Sequence, residues 1–83
     1  MSVFDAVYDA GLVRGRSGKV GEMLSQMRTD FFTERKDLVN EVGVSYERVK
    51  NSAIAWKAIN LDKYMSQYSV SYEEYNKFMQ NNF

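Results

Sequence analysis

The chain has few side chains that could carry out catalysis. It contains no His and no Cys, which removes the usual general base near neutral pH, the thiol nucleophile and the thiolate metal site. Two carboxylate pairs, Asp5/Asp9 and Glu73/Glu74, suit the starts of predicted helices, where negative charge complements the helix dipole. No segment has the alternating acidic spacing of a Ca²⁺ loop. We therefore expect no enzyme, no cofactor and no metal site.

A basic, glycine-rich segment, residues 15–21, is the obvious flexible connection. A phosphate-binding loop would require Gly five residues before Gly18 and Ser or Thr after Lys19. These positions hold Val13 and Val20, so the spacing favours a solvated turn. Backbone N–H groups of such a basic loop could still contact phosphate oxygens.

Composition indicates one small folded domain covering residues 1–83. Hydrophobic residues make up 45% of the 83 residues and aromatics 14%, enough for a single core near the lower size limit. The formal net charge is zero, which argues against a dominant nucleic-acid role, although basic residues outnumber acidic ones in 14–28 and 35–57. No apolar run approaches the ~20 residues of a membrane span. We expect a soluble, cytoplasmic protein with no membrane partner.

Apolar residues at helical spacing and the absence of Pro predict an all-α bundle of four or five helices. Ser2 can cap the first helix, which should end at residues 11–14. A near-heptad apolar stripe follows, which is either intramolecular core or a dimer seam. It is compatible with one helix over about residues 21–42 or with two helices separated at 28–30. The stripe consists of Val20, Leu24, Met27, Phe31, Leu38 and Val42.

The sequence pattern in the second half of the chain predicts two or three further helices. One starts at Ser45 and is expected to end, or to be briefly interrupted, between Asn60 and Asp62. Its predicted buried face is Val49, Ala53 and Trp56, with Ile54, Ala58 and Leu61 on an adjacent face. The last helix begins at Ser71, where Ser71-Tyr72-Glu73-Glu74 has the form of a capping box.

The region between these halves has the pattern of two helices joined by a tight turn. Gly43 can take the positive φ that ends a helix, Ser45 can cap the next helix, and Val44 can close over Val49. The segment 35–56 resembles the helix-turn-helix motif of small bacterial and phage DNA-binding regulators. The shared form is Leu-x-x-x-Val-Gly-Val-Ser-x-x-x-Val.

The resemblance implies a dimeric regulator that acts by occupying a site on double-stranded DNA. Its second helix would lie in the major groove with its first residues on base edges, and neighbouring basic residues would contact phosphates. The implied DNA-binding residues are Arg35, Lys36, Tyr46, Arg48, Lys50, Asn51 and Lys57. The alternative is that these are ordinary solvent-facing side chains of an amphipathic helix.

A second hypothesis is a helical protein-interaction or oligomerisation module, of the phage accessory or inhibitor type, without nucleic-acid contact. It rests on the neutral charge, the 20–42 stripe and a supply of six Tyr, five Met and one Trp, residue types enriched at interfaces. A homo-oligomer is expected under either hypothesis. The predicted core is Phe4, Val7, Leu24, Met27, Phe31, Leu38, Val42, Val49, Trp56, Leu61 and Phe78.

Overall fold

The computed structural model describes residues 2–14 and 18–82, and this part of the chain contains five α-helices and no strand. They are α1 (Val3–Asp9), α2 (Lys19–Glu34), α3 (Lys36–Val39), α4 (Tyr46–Tyr68) and α5 (Tyr72–Asn82). Both α1 and α2 pack against α4, while α3 and α5 contact α2. With 23 residues, α4 is about 35 Å long at 1.5 Å per residue. The predicted all-α small bundle is confirmed.

Local capping explains where α1 and α5 begin. At α1 the Ser2 hydroxyl accepts from the Asp5 N–H at 3.3 Å, and the Asp5 carboxylate accepts from the Ser2 N–H at 3.2 Å. At α5 the hydroxyl of Ser71 and the carboxylate of Glu74 form the same reciprocal pair, both at 3.1 Å. Each pair satisfies backbone donors that a helix start leaves unbonded. Both predicted helix starts are confirmed.

The boundary between α2 and α3 differs from both sequence alternatives. Helix α2 continues through residues 28–30 and ends at Arg35, whose φ of −109° and ψ of 36° interrupt the helix. Thr29 does not cap a new helix, because its hydroxyl donates to the Ser25 carbonyl at 3.2 Å within α2. Thr33 bonds the Thr29 carbonyl in the same way, at 2.9 Å. The single helix to Val42 and the separation at 28–30 are both wrong.

The predicted connection over residues 15–21 ends earlier than expected, because α2 already begins at Lys19. Residues 15–17 lie outside the described residues, so the phosphate-contact hypothesis for the loop as a whole is not addressed. Gly18 has a φ of 102° and directly precedes α2. Val20 and Gly21 are buried in the first turn of that helix. They belong to the helix because they face the core and not the solvent.

The core confirms most of the predicted interior. The largest fully buried side chains are Phe31, Leu12, Met23, Leu24, Met27, Leu38, Val7 and Val49. The stripe from Val20 to Leu38 is therefore covered within one chain, and it forms intramolecular core and not a dimer seam. Trp56 is also buried, whereas Leu61 and Phe78 are half-buried at the edge of the core.

Two predicted core residues are wrong. Phe4 is 54% exposed, because α1 turns Ala6 and Val7 inward and leaves the Phe4 ring at the rim against Phe32, at a centroid distance of 5.1 Å. Val42 is fully exposed. It lies in the turn after α3 has ended at Val39, so helical spacing from Leu38 does not apply to it.

An aromatic cluster joins α2 to α4. The Trp56 ring lies 5.8 Å from both Phe31 and Tyr64, in edge and tilted geometries. Such pairs contribute about 0.5–1.5 kcal/mol beyond their buried area. The Tyr64 hydroxyl donates to the Asp30 carboxylate. Burial is the main cause that raises the pKa of Tyr64, and this hydrogen bond is the second cause. The cluster fixes which face of α4 points inward.

Helix α4 is continuous where an end or an interruption is predicted. The Asn60 side chain donates to the Trp56 carbonyl at 2.8 Å, a bond made along the helix itself. Asp62 lies on the exposed surface, where a polar side chain does not disturb the helix. The helix ends at Ser69, which takes the left-handed conformation with a φ of 54°.

Candidate interaction surfaces

The turn that precedes α4 has part of the predicted geometry. Gly43 takes a φ of 75°, the Ser45 hydroxyl accepts from the Arg48 N–H at 3.1 Å, and Val49 is fully buried. The predicted glycine turn and serine cap are confirmed. The helix before the turn, α3, has only four residues, and the apolar residue before the glycine, Val42, points into solvent.

Three of the predicted DNA-binding side chains make contacts within the chain. The Arg48 guanidinium lies 2.7 Å from the Glu41 carboxylate across the turn. The Tyr46 hydroxyl donates to Asp9 at the end of α1, and this bond raises the pKa of Tyr46 to about 12. The Lys50 ammonium lies 5.8 Å from the centroid of the Tyr46 ring, a cation–π distance. These contacts fasten the start of α4 to α1 and to the turn.

The other predicted DNA-binding residues have mixed surroundings. Lys57 is half-buried, with its ammonium 5.3 Å from the centroid of the Tyr75 ring, and burial lowers the pKa of Lys57. The guanidinium of Arg35 lies 3.7 Å from Asp37. Lys36 and Asn51 are exposed. Because Lys57 is packed inward on an aromatic ring, the structure does not bring all seven residues onto one basic surface.

The exposed side of α4 carries an apolar surface that includes Ile54 and Ala58, which the sequence places on a face adjacent to the buried one, and also Ile59, which the sequence pattern left unassigned. Ile59 is 80% exposed and Ile54 is 45% exposed. The stretch from Asn51 to Leu61 has one charged residue, Lys57, and that side chain is packed on Tyr75. We name this surface the 51–62 face. Its exposed members are Asn51, Ile54, Ala55, Ala58, Ile59 and Asp62.

A helical projection of the sequence contains the signal for the 51–62 face. At 3.6 residues per turn, Ala55 and Ala58 lie on the side of the helix opposite Ala53. They cannot share one buried stripe with the core positions. The apolar residues of α4 therefore surround the helix, a pattern typical of a helix that is buried on more than one side.

One end of the 51–62 face continues onto α5. The Tyr72 side chain is 60% exposed, and its hydroxyl donates to the Asp62 carboxylate at 3.1 Å. This bond raises the pKa of Tyr72. An amphipathic ring of this kind keeps its hydroxyl satisfied while its apolar edge faces solvent, which suits an interface position.

A second apolar feature is formed by the first three helices. An open groove of about 710 Å³ runs between α1, α2 and α3. Phe4, Phe32 and Val39 are among its apolar lining residues, and Lys36 is the one charged residue among the described residues that line it. Phe4 and Phe32 pack on one another here, so part of the exposed aromatic surface is already covered.

In residues 2–14 and 18–82 no group of His, Cys, Asp and Glu side chains is placed to hold a metal ion. No helix in that part of the chain is long and apolar enough to cross a lipid bilayer. Comparison with family models, curated proteins and solved structures finds no match.

Proposed function

We propose that this protein is a helical protein-interaction module whose docking surface is the 51–62 face. The observation that carries the proposal is the exposure of Ile59, at 80%, and of Ile54, at 45%, on the two flanks of the exposed Ala55 and Ala58 on the longest helix. Exposed contiguous apolar surface with polar residues at its ends is characteristic of protein-binding sites. Asn51 and Asp62 are those polar ends.

Rigidity of the 51–62 face supports this function. Its helix is held from behind by the aromatic cluster of Phe31, Trp56 and Tyr64. A surface presented by a fixed helix loses little conformational entropy when a partner binds, because its backbone is already ordered. The uncharged centre of the face also suits an interface core, where charged residues are depleted.

The DNA-binding hypothesis has less support from the contacts. Arg48 bonds Glu41, Tyr46 bonds Asp9, and Lys57 is half-buried on Tyr75. The Arg48–Glu41 pair is exposed on both sides, and such surface pairs contribute only about 0–1 kcal/mol. DNA could displace this pair, so the regulator hypothesis is tested directly in the same set of experiments.

The test uses the full chain and two matched variants. Ile59→Glu places a charge in the 51–62 face, and Val42→Glu places the same charge at a fully exposed apolar position outside it. Each protein is immobilised and exposed to extract from the source cells, and its solution mass is measured separately. Far-UV circular dichroism confirms that both variants stay folded. We expect the wild type and Val42→Glu to bind the same partner, which is either another protein or a second copy of this chain. Ile59→Glu should not bind that partner.

Two results would contradict the proposal. If Ile59→Glu and Val42→Glu retain the same partners and the same mass, the 51–62 face is not the docking surface. If the wild type binds random-sequence duplex DNA with an affinity that falls steeply between about 50 and about 200 mM salt, and Arg48→Ala with Lys50→Ala removes that binding, the regulator hypothesis replaces it.

A further inference from the structure

The order of residues on the 51–62 face is nearly the same in both chain directions. From its N-terminal end the face presents Asn, Ile, Ala, Ala, Ile and Asp. Asn and Asp have the same shape and differ in the groups they offer for hydrogen bonding. A two-fold symmetric interface uses one patch on both subunits, so that patch must be complementary to itself. The 51–62 face has this property for an antiparallel pair.

We propose that the partner of the 51–62 face is a second copy of this chain, paired antiparallel about a two-fold axis that passes between Ala55 and Ala58, midway along the face. This inference rests on the proposed function, because it names the occupant of the same surface. In this register Ala55 of one copy lies opposite Ala58 of the other. Asn51 lies opposite Asp62, and Ile54 lies level with Ile59.

The polar ends of the face determine the direction of pairing. In the antiparallel register the Asn51 amide of each copy can donate to the Asp62 carboxylate of the other. The hydroxyl of Tyr72 already donates to that carboxylate at 3.1 Å, and a carboxylate has acceptor capacity for both bonds. A parallel pair would instead place the two Asp62 carboxylates against each other, which is unfavourable.

Side-chain size supports close approach of the two helices. The positions 51, 55, 58 and 62 follow one another at spacings of four, three and four residues, the pattern of a helix–helix seam. Its two central residues are alanines, which permit an interaxial distance near the lower end of about 8–10 Å. Ile54 and Ile59 lie on opposite flanks of the alanines in helical projection. They would cover the two sides of the contact.

Electrostatics do not oppose this dimer. The formal net charge is zero, so two copies experience no long-range repulsion at neutral pH. Lys57 is the charged residue nearest the proposed axis, and its ammonium lies over the Tyr75 ring inside the same chain. An interface centred on one helix pair is small, so we expect a dimer that dissociates in the range of about 10 µM to about 1 mM.

The first test measures the mass of the full chain by analytical ultracentrifugation across that concentration range. We expect the wild type and Val42→Glu to move from monomer to dimer with the same dissociation constant. Ile59→Glu should weaken dimerisation at least tenfold, because two charges would enter an apolar contact. A wild type that stays monomeric at about 1 mM overturns the inference. The proposed function fails by a separate result, namely that Ile59→Glu keeps the same partners and the same solution mass as Val42→Glu.

The second test determines register by disulfide cross-linking, which is specific because the chain has no cysteine of its own. Asn51→Cys and Asp62→Cys proteins are oxidised separately and as an equal mixture. We expect a disulfide-linked heterodimer in the mixture and little cross-linking in either protein alone. Like positions would be about 16 Å apart along the axis, beyond the Cα–Cα limit of about 7 Å for a disulfide. Efficient homodimers of each single variant would indicate parallel pairing and overturn the inference.

Discussion

Replacing Phe31 by Leu tests the position of the core most directly. The Phe31 ring is fully buried, and its centroid lies 5.8 Å from Trp56 and 5.9 Å from Phe32. The smaller side chain buries roughly 40 Å² less apolar surface, which loses about 1 kcal/mol of transfer free energy at about 25 cal/mol per Å². Loss of the two aromatic contacts adds about 1–2 kcal/mol. We expect the free energy of unfolding to fall by about 2–3 kcal/mol.

The matched control is Phe4→Leu, the same chemical change at a position that sequence patterning places in the core. Phe4 is 54% exposed and has one aromatic contact, with Phe32 at 5.1 Å. Most of its surface is hydrated in the folded and unfolded states alike. The expected loss is therefore below about 1 kcal/mol, and it comes mainly from the partly exposed contact with Phe32.

Both variants are measured by urea unfolding, followed by far-UV circular dichroism so that changes near Trp56 do not distort the signal. A chain of 83 residues has a total stability of about 4–12 kcal/mol, so Phe31→Leu should remain folded in water. With a slope of about 1 kcal/mol per molar urea, its midpoint should fall by about 2–3 M. Equal losses at the two positions, or a larger loss at Phe4, would refute the packing described above.

Three further predictions concern the turn, a cap and pH. Gly43→Ala should lower the free energy of unfolding by about 1 kcal/mol, measured by thermal unfolding, because φ is 75° and the left-handed region is strained for residues with a Cβ. Gly43→Asn should lower it less, since Asn tolerates that region. Ser71→Ala should lower the free energy of unfolding by about 1 kcal/mol, measured in urea, because the hydrogen bond from the Glu74 N–H is lost. An unchanged urea midpoint would show that α5 does not depend on its cap. Folding raises the pKa of Tyr46 to about 12 and also raises that of Tyr72, above the unfolded value of about 10. The resulting stabilisation is complete below pH about 10 and is lost as pH rises towards about 12, so Tyr46→Phe should unfold with a weaker alkaline pH dependence than the wild type.

The helix starts could be predicted from sequence because they depend on neighbours within four residues. Ser2 and Ser71 each bond a residue three positions away, and local pattern is sufficient to identify such a cap. The end of α2 at Arg35 has no comparable local signal. Its hydroxyl-bearing residues lie earlier, at Thr29 and Thr33, and they bond inside the helix.

The surface of the molecule was harder to predict because it depends on which side of each helix is covered. Periodicity alone places Phe4 with Val7. It puts Ile54 on a face adjacent to the core but does not show whether another helix covers that face. The contacts of Tyr46 with Asp9 and of Lys57 with Tyr75 join residues far apart in sequence. No spacing rule predicts such pairs, because they arise only when the helices dock.

The unequal lengths of the helices have a consequence for the order in which the chain folds. Isolated helices below about 12–15 residues are marginal in water, and α1 and α3 have only seven and four residues. Helix α4, with 23 residues, is long enough to form transiently in the unfolded chain. We expect α4 to appear early as a template, with α2 docking through Phe31 and the short helices forming only on contact. A peptide covering residues 45–69 should then show partial helicity by circular dichroism, and one covering residues 2–12 should show none.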